Sequence, residues 1–147
     1  MLDQVEENRL LVVAATLDNL ARIRDFIAEV ANELGADSSS ITDLLIAVDE
    51  AVTNIILHGY QNRNGKVEVE VACEADTLVV RIRDNAPAFD LSDTAAPNLN
   101  ISPLEKETPG GYGVFLIQHL VDMAEHQLLN DGRNELILHK HKACTGE

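Results

Sequence analysis

The sequence predicts an α+β domain: a two-layer α/β sandwich with a mostly antiparallel sheet and its helices on one side. Three observations carry that prediction. "KVEVEVACEA" (66–75) and "TLVVRIRDNA" (77–86) alternate apolar and polar residues with period two, joined by a tight turn near Asp76. Two longer segments before them repeat apolar residues at helical spacing. A third helical segment and a second hairpin follow, giving the order β-α-α-β-β-long loop-α-β-β. Strands grouped as hairpins and helices grouped as pairs give a layered antiparallel sandwich rather than a doubly wound parallel sheet.

The Val-rich run "RLLVVAA" (9–15) is the first strand. Thr16 is the candidate cap of the helix "LDNLARIRDFIAEVANELG", where Leu20, Ile23, Ile27, Val30 and Leu34 repeat and Gly35 is the stop. "DSSS" opens a second helix, with Ser38, Ser39 or Ser40 as its cap, running to about His58 before Gly59. The turn "NRNG" (62–65) leads into the first hairpin. There Val67, Val69, Val71, Leu78, Val80 and Ile82 form a packed face, and Glu68, Glu70, Arg81 and Arg83 lie on the solvated one. From Asn85 to Pro109 the periodicity stops and all four prolines occur. A connection of about 25 residues is long for a compact domain and reads as a lid or binding loop. "GGYGVFLIQHLVDMAEHQ" (110–127) reads as a third helix with Val114, Ile117, Leu120 and Val121 as its stripe. "HQLLN" and "NELILHK" around "DGR" close the domain.

The 147 residues are enough for one domain, 1–147, with its core at about 9–140. A formal net charge of -14 argues against nucleic acid and anionic membrane as partners. A polyphosphate ligand then requires backbone donors, a local cation or a metal. Cys73 and Cys144 allow a disulfide that a chain of this size does not need, and a reducing cytoplasm is the natural reading. The first ten residues carry no signal-peptide pattern, and no segment approaches a membrane span.

Three stretches carry candidate chemistry. In "DEAVTNIILHGY" (49–60), Glu50, Asn54 and His58 are spaced i, i+4, i+8. The wheel places Glu50 and Asn54 nearly opposite the stripe Ile41, Leu44, Leu45, Val48, Val52 and Ile55. The small Ala47 and Ala51 beside them leave room for a ligand, although a Glu–Asn pair on a helix is also ordinary solvated surface. Asp84 ends its strand, where it either accepts from an amino group such as that of adenine or caps a turn with Asn85. Gly110, Gly111 and Gly113 precede a helix. Free N–H groups there can receive phosphate, or the glycines merely permit a tight turn into the helix.

Taken together, "EAVTNIILHGY", "DNAPAFD" and "GGYGVFLI" resemble the N, G1 and G2 boxes of the GHKL (Bergerat-fold) ATPases. The short chain is similar to their stand-alone anti-sigma-factor serine/threonine kinases. The resemblance runs from about residue 9 to 140. It implies ATP and Mg²⁺ as cofactors, with Asn54 as the metal ligand and Glu50 as the general base on a substrate hydroxyl. It further implies that Asp84 reads the adenine amine and that His58, Ala88, Gly111, Gly113 and Val114 complete the nucleotide pocket under a lid drawn from residues 90–110. The implied partners are a sigma factor, a STAS-domain anti-sigma-factor antagonist and a second copy of the chain in a homodimer. Ala86 and Ala88 stand where the G1 box usually has glycines, a variant that resembles the form found in the stand-alone kinases. No pattern fixes Lys106 or Arg133 on phosphate. Two other readings are an ATP/ADP-responsive protein-binding module without kinase activity and a detached histidine-kinase catalytic domain. The latter lacks a preceding helix pair bearing a phosphoacceptor histidine.

Overall fold

A computed structural model of the chain describes residues 9–87, 117 and 119–144. Five strands form one antiparallel sheet: β1 (Leu10–Ala14), β2 (Lys66–Glu74), β3 (Thr77–Asp84), β4 (Met123–Leu128) and β5 (Asn134–Lys140), in the spatial order β1-β2-β3-β5-β4. Two helices, α1 (Leu20–Glu33) and α2 (Ser38–Asn54), supply the second layer. The predicted α+β sandwich is the observed one.

Alternation decides the faces. Val67, Val69, Val71, Leu78, Val80, Ile82, Leu136 and Leu138 point into the core with Ile23, Ile27, Leu44, Val48 and Val52 from the helices. Each such side chain contributes roughly 1.5–3 kcal/mol by leaving water, and truncating the fully buried Leu44 to alanine would cost about 2–5 kcal/mol. On the opposite face, Arg83 donates to Glu68 (2.6 Å), Glu70 (2.7 Å) and Glu135 (2.8 Å) across three strands. Burial works against the charge of Arg83, but its hydrogen bonds to Glu70, Glu68 and Glu135 outweigh that and hold it protonated. Arg133 belongs to the same face through Glu68 and is also tied to Asp131.

The helix ends differ from the sequence reading in detail. Thr16 has extended dihedrals but makes no side-chain cap bond. A 3₁₀ turn, Leu17–Asn19, intervenes before α1, and the Asn19 amide donates to the Ala14 carbonyl and the Thr16 hydroxyl. Gly35, at φ 89°, ends α1 as expected. Asp37, not a serine, caps α2, accepting from the Ser40 amide at 3.2 Å. The third helix is shorter than its periodicity suggests. Ile117, His119 and Leu120 are helical, but β4 already begins at Met123, paired with His139. The helical propensity of "DMAEHQ" yields to six residues of ladder pairing with β5.

Cys73 and Cys144 form a disulfide, the bridge that chain size alone did not require. It fastens Cys144, paired with Ala36, to the end of the hairpin where β2 turns into β3. Among the described residues, no helix is long and apolar enough to cross a membrane.

Candidate functional site

The site gathers at the other end of the hairpin, where Val67, Asp84 and Asn134 lie abreast on β2, β3 and β5. The exit of α2 is brought to the same place. Immediately after Asn54 the α-helix widens into a π turn, Ile55–Gly59, a distortion that often marks functional positions. His58 therefore lies half-buried on the wider turn, and the α-helical i, i+8 relation to Glu50 does not describe its direction.

Asn54 is 0% exposed, and both atoms of its side-chain amide lack a hydrogen-bond partner. This corrects the helical wheel. Ala47, Ala51 and Asn54 are all fully buried, so this flank is enclosed rather than solvated. Ala47 and Ala51 belong to the buried core cluster. A buried amide with no partner costs about 1–3 kcal/mol, and such an orphan carbonyl oxygen is the hard donor that Mg²⁺ accepts. One helical turn earlier, Glu50 is half-buried. Burial, and secondarily the charge of Asp49, raise its pKa above the ordinary carboxylate value. Asp49 is itself gripped by Arg24 of α1 through bonds of 3.0 and 2.9 Å.

Asp84 is 5% exposed. Its Oδ1 accepts from the Ala86 amide and from Asn134 Nδ2, both at 2.9 Å. Burial raises its pKa, opposed by those two bonds and by the charge of His126. The turn reading of Asp84 is thus met, one oxygen organising the turn after β3. Tyr60 links the parts. Its hydroxyl donates to the Lys66 carbonyl (2.7 Å) and accepts from the Asn85 amide (2.8 Å). The exit of α2 is thereby tied to the turn that carries Asp84.

Tyr60 thus ties the exit of α2, the helix that carries Glu50 and Asn54, to the turn that follows Asp84, with His58 on the π turn just before it. Ala88, Gly111, Gly113, Val114, Lys106 and the lid segment 90–110 lie outside the described residues. Arg133 points to the opposite face of the sheet, among carboxylates. Sequence reasoning missed Asn134, although one signal was available: Asn134 has the same parity as the apolar Leu136 and Leu138, a polar residue on an inward face. The Arg24–Asp49 bridge, by contrast, left no trace in the spacing.

Residues 13–140 match the histidine kinase-like ATPase domain family. A serine-protein kinase RsbW of Bacillus cereus (strain Q1) is 30% identical over 132 residues, spanning 88% of this chain and 81% of that protein. A serine-protein kinase RsbW of Oceanobacillus iheyensis is 36% identical over 100 residues, which cover 65% of this chain and 63% of the relative, just under two thirds of its length. Among solved structures, the RsbU and RsbW domains of Rv1364c from Mycobacterium tuberculosis share the fold. The TM-score is 0.57 at 20% identity, over 90% of this chain and 32% of that one. With the family match spanning most of the chain, the chain belongs to the histidine kinase-like ATPase family, beside the RsbW serine-protein kinases.

Proposed function

We propose that the chain is an ATP- and Mg²⁺-dependent serine/threonine protein kinase and anti-sigma factor. It phosphorylates a STAS-type antagonist and sequesters a sigma factor. The observation that carries this reading is Asn54, a fully buried amide without a partner, one helical turn from a half-buried carboxylate whose proton affinity is raised. A purely structural helix would fill that position with an apolar side chain.

When bound, Mg·ATP supplies the phosphoryl group and offsets its charge within an acidic protein. Asn54 would hold the metal through Oδ1, and Asp84 would face the adenine base. Glu50 orients the substrate hydroxyl and takes its proton as the new bond forms. It is too weak a base to ionise the hydroxyl beforehand, and its raised pKa favours acceptance late in the reaction. Arg24 occupies the neighbouring Asp49, leaving Glu50 as the carboxylate available to the hydroxyl. The partners rest on kinship with the RsbW kinases. A homodimer belongs to the same reading. It draws support from Val12 (49% exposed) and Leu17 (47% exposed) beside the edge strand β1 rather than from α1.

Titration with Mg·ATP tests the site. Saturable, metal-dependent binding is expected in the wild type, lost in Asn54→Ala and weakened in Asp84→Asn. Phosphate transfer to a serine of a STAS-domain protein, absent in Glu50→Ala, tests the chemistry. Binding without transfer in the wild type would leave an ATP-responsive binding module. Folded protein that ignores millimolar ATP would sink the nucleotide reading.

A further inference from the structure

Asn64 is the only asparagine in the chain that precedes a glycine. The pair lies in the bend between Tyr60 and β2, with Asn64 exposed beside an open cleft of about 730 Å³. Among the described residues, no hydrogen bond engages the Asn64 side chain or the Gly65 backbone amide. Gly65 does not take the positive φ that favours glycine; a Cβ there would collide with the Tyr60 ring. Packing thus sets the least hindered kind of backbone nitrogen next to an unrestrained carboxamide. The chain's one Asp–Gly pair, Asp131–Gly132, is restrained at both partners. The Gly132 amide donates to the Leu129 carbonyl at 2.9 Å. Asp131 accepts from the Arg133 backbone amide at 3.1 Å and from its Nε at 2.9 Å. Those bonds, the backbone one foremost, hold its carboxyl below the ordinary value, as an anion that resists attack.

We infer that Asn64 is a modification site, where the Gly65 nitrogen attacks the side-chain carbonyl and converts the asparagine to isoaspartate. The new C–N bond closes a cyclic imide as the C–NH₂ bond breaks. Ammonia leaves with the proton given up by the Gly65 amide. Water then opens the ring. Opening at the side-chain carbonyl gives aspartate, and opening at the main-chain carbonyl gives isoaspartate, whose backbone is longer by one methylene. One water is consumed and one ammonia released, and no oxidant or cofactor takes part. The extra methylene falls inside a bend that Tyr60 closes from both sides. The Tyr60 carbonyl holds the Arg63 amide at 3.0 Å, and the Tyr60 hydroxyl donates to the Lys66 carbonyl at 2.7 Å. A lengthened link between Arg63 and Lys66 cannot keep both. The altered residue also acquires the free α-carboxylate that an isoaspartyl methyltransferase esterifies with S-adenosylmethionine.

The test ages the full chain, as wild type and Asn64→Gln, for days at mildly alkaline pH. Cleavage at glutamate and tandem mass spectrometry then locate the acid. Asn64 should be largely converted before Asn62 or Asn85 reacts measurably. Isoaspartyl methyltransferase with labelled S-adenosylmethionine should methylate aged wild type, and neither fresh protein nor aged Asn64→Gln. In urea, aged wild type should unfold at a lower midpoint than fresh protein. Fresh Asn64→Asp, which gains the charge without the methylene, should unfold with the fresh wild type. An amide at residue 64 that survives as long as Asn62 would overturn the inference. Methylation that persists in aged Asn64→Gln would do the same, since it would belong to Asp131. Isoaspartate at residue 64 with an unchanged midpoint would overturn its link to Tyr60.

Discussion

The Tyr60 hydroxyl accepts the Asn85 amide at 2.8 Å, joining the exit of α2 to the residue that follows Asp84. The same oxygen donates to the Lys66 carbonyl at the start of β2. One hydroxyl therefore fixes the spacing between the residues assigned to metal and to base. Its ring is pinned as well, because a Cβ at Gly65 would collide with it.

Tyr60→Phe keeps the ring and removes the link. Leaving the Asn85 amide and Lys66 carbonyl short of a partner should cost about 1–3 kcal/mol of stability. ATP affinity should fall more than that of a ligand contacting phosphate-binding residues alone, such as tripolyphosphate. Urea unfolding and paired titrations check this. An equal loss for both ligands would mean that Tyr60 serves stability only.

Asn54→Leu replaces an orphan amide by an apolar side chain of the same branched shape in a fully buried position. The nucleotide-free protein should gain about 1–2 kcal/mol, a rise of a few degrees in Tm for a chain of this length. Mg²⁺-dependent ATP binding should disappear in the same variant. Calorimetry beside ATP titration measures the two effects, and destabilisation would show that the amide is satisfied in solution.

Asp84 sets a pH dependence whose sign follows from its burial. Its folded pKa lies above the ordinary value of 3.8, so protonation favours the folded state and the charged form opposes it at neutral pH. Its contribution should therefore improve as pH falls through the folded pKa and level off below the unfolded one. Asp84→Asn should be more stable than wild type at pH 7, with the advantage shrinking toward pH 4. Denaturant unfolding at both pH values decides it, and an advantage that grows on acidification would reverse the assignment.

The Cys73–Cys144 bridge closes a sequence separation of 71 residues, a constraint that loop-closure entropy values at about 4 kcal/mol. Reduction or Cys144→Ser should lower the unfolding midpoint by a corresponding amount. Affinity for ATP should be unchanged, because the bridge lies at the opposite end of the hairpin from Asp84. Unfolding with and without dithiothreitol, paired with titration, separates the two effects.

The strands were legible because period two is a direct imprint of the pleat. Val67, Val69, Val71, Leu78, Val80 and Ile82 were all assigned to the packed face, and all are buried. The enclosure of the α2 flank was not legible because the wheel counts only large apolar residues. Ala47 and Ala51 bury little area yet sit against the core, and they carry Asn54 inward with them. The end of the third helix was missed because local propensity has no knowledge of pairing with a strand later in the chain. Asn134 was hidden because its meaning depends on register: only beside Asp84 does its amide acquire a donor role and an unused acceptor.

Arg83 and Asp84 are neighbours in the chain and strangers in space, one answering three carboxylates outside the sheet, the other bordering the site within. A frame shift of one residue in β3 would exchange them. The guanidinium would enter the site, and a fourth carboxylate would join Glu68, Glu70 and Glu135 without a cation to hold them. A single-codon insertion in β3 ahead of Arg83 would thus injure both faces at once. Lineages of this domain should accumulate length changes outside that strand and substitutions, never insertions, within it.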